Sequence, residues 1–182
     1  MIYKGKSVYK VGGGSPSPSN VVVIDGVAYP YVKIGGQLWL AKNLEIKQGN
    51  WIDRGTILYE GTPVSIDNVE YWLPDGWVIP STADFYKLYD YVNAHKSGSN
   101  GVGYYLKSVD YGGNNEFGFN AYQTGSYIQG SFFSGDTDYW TSTEPSTNSR
   151  VRWELRYGVN SFTSSTRKES NEYIGIRLVK NL

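Results

Sequence analysis

Short stretches in which hydrophobic and polar residues alternate occur along much of the chain, and such alternation predicts half-buried β-strands. Residues 21–24 and 27–29 flank an Asp-Gly pair at 25–26, which is typical of a tight β-hairpin. A Gly-Gly pair at 35–36 predicts a second hairpin in the same way. The last alternating stretch, at 173–180, predicts the final strand of the domain.

Residues 81–95 have the spacing of an amphipathic helix instead. Ser81 is a natural N-cap, and Asp84 three residues later resembles the acid of a capping box, which favours a role at the helix start over a catalytic one. His95 lies at the predicted end, where we expect a surface or capping histidine. The apolar residues at helical spacing are Phe85, Leu88, Tyr89 and Val92.

The chain divides into three parts by composition. Residues 1–10 form a short arm, residues 11–20 are a linker of Gly, Ser and Pro, and residues 21–182 form the domain. The 22 Gly, 17 Tyr and 6 Trp against a single Met indicate many turns and many aromatic contacts. We therefore predict an α+β domain with short antiparallel strands, one clear helix at about 81–95 and much irregular loop.

Composition excludes several classes of function. The chain has no Cys and one His, which excludes disulfides, thiol nucleophiles, Cys-rich zinc sites and His-pair metal sites. The 17 basic and 17 acidic residues give zero formal charge, so we expect no nucleic-acid partner. The longest apolar run near the start, at 21–24, is too short to span a bilayer, so no membrane insertion is expected.

The remaining candidates for catalytic chemistry are pairs of carboxylates such as Asp136 and Asp138. Asp136 and Asp138 could perform glycosidic chemistry, but Gly-Asp-Thr-Asp at 135–138 is more typical of a polar turn. A calcium contact at this turn stays an open alternative without support in the sequence. We therefore expect no enzyme activity, no catalytic residue, no metal site and no cofactor.

The segment 139–167 is rich in Tyr, Ser, Thr, Asn and Arg, which is the composition of an antibody paratope. The same residue types also populate ordinary solvated loops, and composition alone leaves both interpretations open. Within the segment, Val151, Trp153 and Leu155 alternate with charged residues. This alternation predicts a half-buried strand with a charged outer face, with Trp140, Trp153 and Ile176 in the core.

Four blocks of sequence together resemble the Fibrobacter succinogenes major paralogous domain family over about residues 27–180. They are Val-Lys-Ile-Gly-Gly-Gln-Leu-Trp-Leu-Ala-Lys-Asn-Leu at 32–44, Pro-Asp-Gly-Trp-Val-Ile-Pro-Ser-Thr-Ala-Asp-Phe at 74–85, Gly-Phe at 118–119 with Gly-Ser-Phe at 130–132 and Tyr-Trp-Thr-Ser-Thr-Glu at 139–144, and Gly-Ile-Arg-Leu-Val-Lys at 175–180. The resemblance implies a C-type-lectin-like fold, like that of formylglycine-generating enzymes and of the variable proteins of diversity-generating retroelements. Because formylglycine-generating enzymes depend on cysteines, their activity is excluded here.

In the retroelement-diversified relatives, the segment before the last strand forms the ligand-contact face. The resemblance therefore implies a ligand-binding surface on the corresponding segment of this chain. The implied contact residues are Asn148, Arg150, Arg152, Glu154, Arg156, Tyr157, Asn160, Ser161, Thr163, Ser165 and Arg167.

The function implied by this resemblance is ligand or receptor binding through a variable contact surface. Residues 2–10 are similar to short units near the starts of gut bacteriophage structural proteins, which favours a tail protein of a virion. The expected partner is a bacterial cell-surface protein or glycan, bound by several copies on a trimeric fibre because one domain binds weakly. Two alternatives stay open: a bacterial cell-surface adhesin or pilus-tip domain of the same family, and a glycan-processing enzyme.

Overall fold

The computed structural model describes residues 20–168 and 170–182. The predicted arm at 1–10 lies outside the described residues, and so does the predicted linker at 11–20 apart from Asn20. The proposed division of the chain near residue 21 therefore stays a prediction.

Three antiparallel sheets dominate the described residues. Their strands are β1 (Val21–Ile24), β2 (Val27–Ile34), β3 (Gln37–Leu40), β4 (Trp51–Asp53), β5 (Ile57–Glu60), β6 (Ser126–Ile128), β7 (Ser131–Phe133), β8 (Asp136–Trp140), β9 (Ser149–Arg156), β10 (Phe162–Lys168), β11 (Glu172–Ile174) and β12 (Val179–Asn181). The four-stranded sheet has the order β1-β2-β3-β12, the three-stranded sheet β10-β9-β8, and the five-stranded sheet β4-β5-β11-β6-β7. Both predicted hairpins are confirmed, since β1 pairs with β2 and β2 with β3.

Helices are few and mostly short within the described residues. They are α1 (Pro63–Glu70), α2 (Thr82–His95) and α3 (Val102–Leu106), followed by one 3₁₀ turn (Val109–Tyr111). The predicted helix is confirmed as α2, with Ser81 as its N-cap. The Ser81 hydroxyl accepts a hydrogen bond from the Asp84 backbone N–H, and the Asp84 carboxylate accepts one from the Ser81 backbone N–H.

The predicted α+β, C-type-lectin-like fold is wrong. The described residues form twelve strands in three sheets, a mostly β, sandwich-like arrangement in which α2, at 14 residues, is the longest helix. The mixed polarity of residues 41–68 predicts loops with short strands, and β4 and β5 agree with this, whereas α1, which begins in the same stretch, was not predicted. The final predicted strand is in fact two, because β11 joins the five-stranded sheet and β12 the four-stranded one. Strands of three or four residues carry too little alternation to reveal their sheet.

Two hydrophobic clusters fill the interior. Beneath α2, the Phe85 ring lies 5.0 Å from the Trp39 ring and 5.5 Å from the Trp153 ring, measured between centroids. The second cluster surrounds Trp140, whose indole Nε1 donates to the backbone carbonyl of Tyr59. The core positions predicted for Trp140, Trp153 and Ile176 are confirmed, since all three side chains are buried.

A buried arginine ties distant parts of the chain together. The Arg177 guanidinium donates to the side-chain oxygen of Asn43 and to the backbone carbonyls of Leu40 and Phe119. It also lies over the rings of Phe119 and Tyr139, at 4.7 and 5.4 Å from their centroids. Residues from three of the four sequence blocks therefore meet at this one cation, which indicates that these motifs build the fold.

Candidate ligand-binding site

Charged residues of β8 and β9 line one face of the three-stranded sheet. The register places Arg156 opposite Asp136 and Glu154 opposite Asp138. Side chains directly opposite each other in an antiparallel pair lie on the same face, and alternate residues of one strand share that face. Arg152 therefore projects to the same side as these four residues.

The charged face opens into a cleft where the three-stranded and five-stranded sheets meet. The two sheets are joined along β8, whose backbone pairs with Gly125 before β6 and with Gly175 after β11. The cleft has a volume of about 340 Å³. We call it the charged cleft, and its lining residues are Ser126, Ile128, Phe133, Asp136, Asp138, Arg152, Arg156 and Arg167.

A chain of ion pairs runs from the interior of the charged cleft to its exposed edge. Arg152 donates to Asp138 at 2.7 Å and to Glu154 at 3.0 Å, and all three residues are buried. Glu154 also accepts from Arg156 at 2.9 Å, and the Arg156 side chain is 52% exposed. Ser165 on β10 accepts a further hydrogen bond from Arg152. This network fixes the guanidinium of Arg152 before any ligand arrives.

Asp138 is the most strongly perturbed carboxyl of the charged cleft. Burial raises its pKa to about 7, an effect that Arg152 opposes and that Glu154 and Asp136 reinforce. Its Oδ1 is buried and has no hydrogen-bond partner among the described residues. Burial also raises the pKa of Glu172 on β11, against the opposing charges of Arg167 and Arg152. The interior of the cleft thus offers Asp138 as a group whose charge and hydrogen-bonding role change near neutral pH.

The raised pKa of Asp138 makes the stability of the protein depend on pH. Because the pKa of Asp138 is higher in the folded protein than its ordinary value of 3.8, ionisation of Asp138 favours unfolding as pH rises from about 4 to about 7. The free energy of unfolding of wild type minus that of Asp138→Asn is therefore expected to fall across this range and level off above it. Urea denaturation of both proteins at a series of pH values measures the difference, and a constant difference would contradict the assignment.

Three of the predicted contact residues were placed wrongly. Arg150, Arg152 and Glu154 were expected on an outer face, but all three are buried. The side of β9 that was predicted to face solvent is covered at its Arg150 end by Gly61, the residue after β5. The Arg150 guanidinium donates to the backbone carbonyls of Gly61 after β5 and Thr141 after β8. These side chains therefore support the fold, and only Arg152 among them also lines the charged cleft.

The other predicted residues are at least partly accessible but do not form one surface. Arg156 and Arg167 join Arg152 in the charged cleft. Asn148 lies in the tight turn before β9 with a positive φ of 60°, and the Asn160 side chain donates to Asn100 after α2. The predicted residues that are exposed are Asn148, Arg156, Tyr157, Ser161, Thr163 and Arg167, and those that are half-buried are Asn160 and Ser165.

Sequence reasoning missed the acidic half of the charged cleft. Asp136 and Asp138 were interpreted as a polar turn, whereas the structure places them in β8. The signal was present, since Asp136, Asp138 and Trp140 alternate with Thr137 and Tyr139 as a strand requires. No local signal in the sequence could have shown that residues of β6 and β7 form the other wall of the charged cleft.

Within residues 20–168 and 170–182, no group of three or more His, Asp or Glu side chains is arranged to hold a metal ion. In the same part of the chain, no helix has the length and apolar character needed to cross a bilayer.

Comparison with known families decides the identity of the domain. The model of the Fibrobacter succinogenes major domain matches residues 48–180, which is most of the chain. The chain belongs to the Fibrobacter succinogenes major domain family. The resemblance expected from the sequence blocks is therefore confirmed, and every residue that lines the charged cleft lies within the matched part of this family member. No curated protein and no solved structure matches the chain significantly.

Proposed function

We propose that this domain is a ligand-binding module and that the charged cleft is its binding site. The observation that carries the proposal is the buried Asp138–Arg152 pair, held in a fixed geometry at the interior of an open cleft. A preorganised set of charges loses little conformational entropy when a ligand binds, so more of the interaction energy appears as affinity.

The chemistry of the lining indicates the kind of ligand. Arg156 and Arg167 at the exposed edge can donate to carboxylate or phosphate groups, and Asp136 and Asp138 can accept from hydroxyl or ammonium groups. Phe133 adds an aromatic wall that is 53% exposed. A polar ligand that presents both donors and acceptors fits this lining. We take the partner to be the one expected from the sequence, a bacterial cell-surface protein or glycan.

The proposed biological setting rests on the similarity of residues 2–10 to short units of gut bacteriophage structural proteins. The domain acts as a receptor-binding protein of a phage tail, carried in several copies on a trimeric fibre so that weak single contacts add up. Diversification by a retroelement is restricted to exposed positions such as Arg156, Tyr157 and Thr163, because variation at the buried Arg150 and Arg152 would damage the core. A nearby reverse-transcriptase gene and a non-coding near-copy of the 3′ end of the gene would support diversification. The alternative setting is a bacterial cell-surface adhesin or pilus tip.

One observation favours a second function, glycan hydrolysis. Asp136 and Asp138 lie on the same face of β8, and a pKa of about 7 suits Asp138 to donate a proton. Against this, Asp138 is only 2% exposed and its Oδ2 is held by Arg152. We expect no release of reducing ends from any glycan that the protein binds. Measurable release that is lost in Asp138→Asn would establish the enzyme instead.

Removing the two exposed arginines tests the binding function. The double variant Arg156→Ala, Arg167→Ala is expected to bind the partner roughly tenfold more weakly or worse, because both guanidinium donors are lost. The partner is found by screening wild-type protein against a glycan array and intact bacterial cells, with and without a calcium chelator. Affinity is then measured by biolayer interferometry.

The control for this experiment is Arg54→Ala. Arg54 is also exposed, but it lies over the ring of Tyr127, which alternates with the cleft residues Ser126 and Ile128 along β6. Its removal is expected to leave affinity within about twofold of wild type. Equal affinity of the double variant and wild type for a partner other than a neutral saccharide would refute the charged cleft as the binding site.

A further inference from the structure

A second depression lies on the opposite face of the three-stranded sheet, between α2 and the β9–β10 hairpin. Trp153 of β9 alternates with the charged residues of the cleft and therefore points away from it. The depression has a volume of about 430 Å³. We call it the aromatic groove, and its lining residues are Tyr86, Tyr89, Trp153, Phe162, Thr163 and Ser164.

The sequence builds this groove from two elements. Tyr86 and Tyr89 are three residues apart on α2 and so lie on neighbouring positions of one helix face. Trp153 and Ser164 are paired across the β9–β10 ladder. The Tyr86 ring stands nearly perpendicular to the Trp153 ring, with centroids 5.1 Å apart, and the Phe162 ring is 4.7 Å from Trp153.

The groove combines a buried aromatic base with an exposed aromatic wall. Trp153 and Phe162 are each 2% exposed, whereas Tyr86 is 51% exposed. A helix residue that only supported the core would bury its ring, and an exposed tyrosine beside a tryptophan leaves aromatic surface open to a partner.

Two further observations indicate what that partner is. The lining contains no charged side chain, and Tyr86, Tyr89 and Ser164 contribute hydroxyl groups to it, whereas the Thr163 hydroxyl donates to Glu154 on the charged face. The indole Nε1 of Trp153 is buried and has no hydrogen-bond partner among the described residues. A buried donor without a partner is costly, and an incoming acceptor that reached it would remove that cost.

We infer that the aromatic groove binds a neutral saccharide. A sugar ring has apolar C–H faces that pack on aromatic rings, and hydroxyl edges that exchange hydrogen bonds with tyrosine, serine and indole groups. A charged ligand would lose hydration and find no counter-ion in this lining. The volume suits a small ligand, whereas a stable protein partner buries a far larger area of roughly 800 Å² on each side. The groove is separate from the charged cleft, so this inference does not depend on binding there.

Two-dimensional ¹⁵N NMR of the full chain tests the inference. The probes are N-acetylglucosamine, galactose and maltotriose, followed by neutral oligosaccharides that an array identifies. At least one probe is expected to shift the Trp153 indole resonance and the Ser164 amide resonance saturably. The Trp153 resonance is assigned by comparison with Trp153→Phe.

Three variants locate the interaction. Tyr86→Ala is expected to weaken binding roughly tenfold because the exposed wall is lost, whereas Tyr86→Phe keeps the ring and is expected to bind within about threefold of wild type. Tyr71→Ala removes another exposed tyrosine, 73% exposed next to α1, and is expected to bind normally. The Arg156→Ala, Arg167→Ala variant is also expected to bind the saccharide normally, which distinguishes failure of the groove from failure of the cleft.

Several results would overturn the inference. Absence of a saturable shift at Trp153 and Ser164 with every neutral probe would do so, as would equal affinity of Tyr86→Ala and wild type. Binding of a peptide at the groove with no saccharide binding would show that the groove serves a protein partner instead. Retained ¹⁵N spectra in all variants would exclude unfolding as the cause of lost binding.

Discussion

Replacement of Arg177 by Met is expected to lower the free energy of unfolding by about 3–5 kcal/mol. Arg177 is completely buried and donates to Asn43, Leu40 and Phe119, so its removal takes a charged donor from three buried acceptors. Methionine fills a similar volume, so the loss reports the hydrogen bonds and the contacts with the two aromatic rings more than a cavity. Urea denaturation of both proteins measures the change.

Two matched variants make this result specific. Arg177→Lys keeps the charge but loses the planar guanidinium that reaches several acceptors at once. Its free energy of unfolding is therefore expected to lie between those of wild type and Arg177→Met. Arg54→Met removes an exposed arginine and is expected to change stability by no more than about 0.5 kcal/mol. Equal stability of Arg177→Met and Arg54→Met would show that Arg177 does not hold the sequence blocks together.

Replacement of Arg152 by Met is also expected to lower the free energy of unfolding by about 3–5 kcal/mol. The variant leaves Asp138 and Glu154 near each other in a buried site without their shared cation. Loss of the Arg152 charge then raises the pKa of Asp138 further, because Arg152 opposes the effect of burial and Glu154 reinforces it. The free energy of unfolding is therefore expected to fall more at pH 8 than at pH 5.

A double-mutant cycle separates the ion pair from general damage to the core. Adding Asp138→Asn to Arg152→Met removes one of the two uncompensated carboxylates, so the double variant is expected to be more stable than the sum of the single effects predicts. Strict additivity of the two substitutions would contradict a direct interaction between Asp138 and Arg152. Denaturation of all four proteins at one pH provides the measurement.

Local features of the sequence predicted local structure well. The Asp-Gly pair at 25–26 and the Gly-Gly pair at 35–36 each mark a hairpin, because these residues suit the tight turns that join paired strands. Ser81 and Asp84 satisfy the first turn of α2 by contacts within four residues of each other. Such interactions depend only on near neighbours in the chain and are therefore visible in the sequence.

The fold class could not be predicted in the same way. β11, three residues long, pairs with β5 and β6, which lie more than forty residues before it in the chain. The alternation in so short a strand says nothing about its partners, and the stretch from 173 to 180 looked like one continuous strand. The α+β prediction failed because pairing between distant short strands, rather than local propensity, determines the three sheets.

The candidate site shows the same limit. Alternation along β9 correctly separates Trp153 from Arg152, but it cannot show whether the charged side faces solvent or a second sheet. Arg150 and Arg152 looked like surface residues because arginine is seldom buried without partners. Their partners Gly61 and Asp138 come from other strands or loops, so the burial emerges only when the sheets assemble.

Locating the bound ligand tests the central claim most directly. Amide chemical-shift mapping with the partner recovered from the array or the cell screen, supported by a crystal structure of the complex, gives its position. The account predicts that shifts concentrate at 126–138, 152–156 and 165–167, with the ligand contacting Arg156 and Arg167. A ligand other than a neutral saccharide that lies on another surface, with no contact to these two arginines, would contradict it.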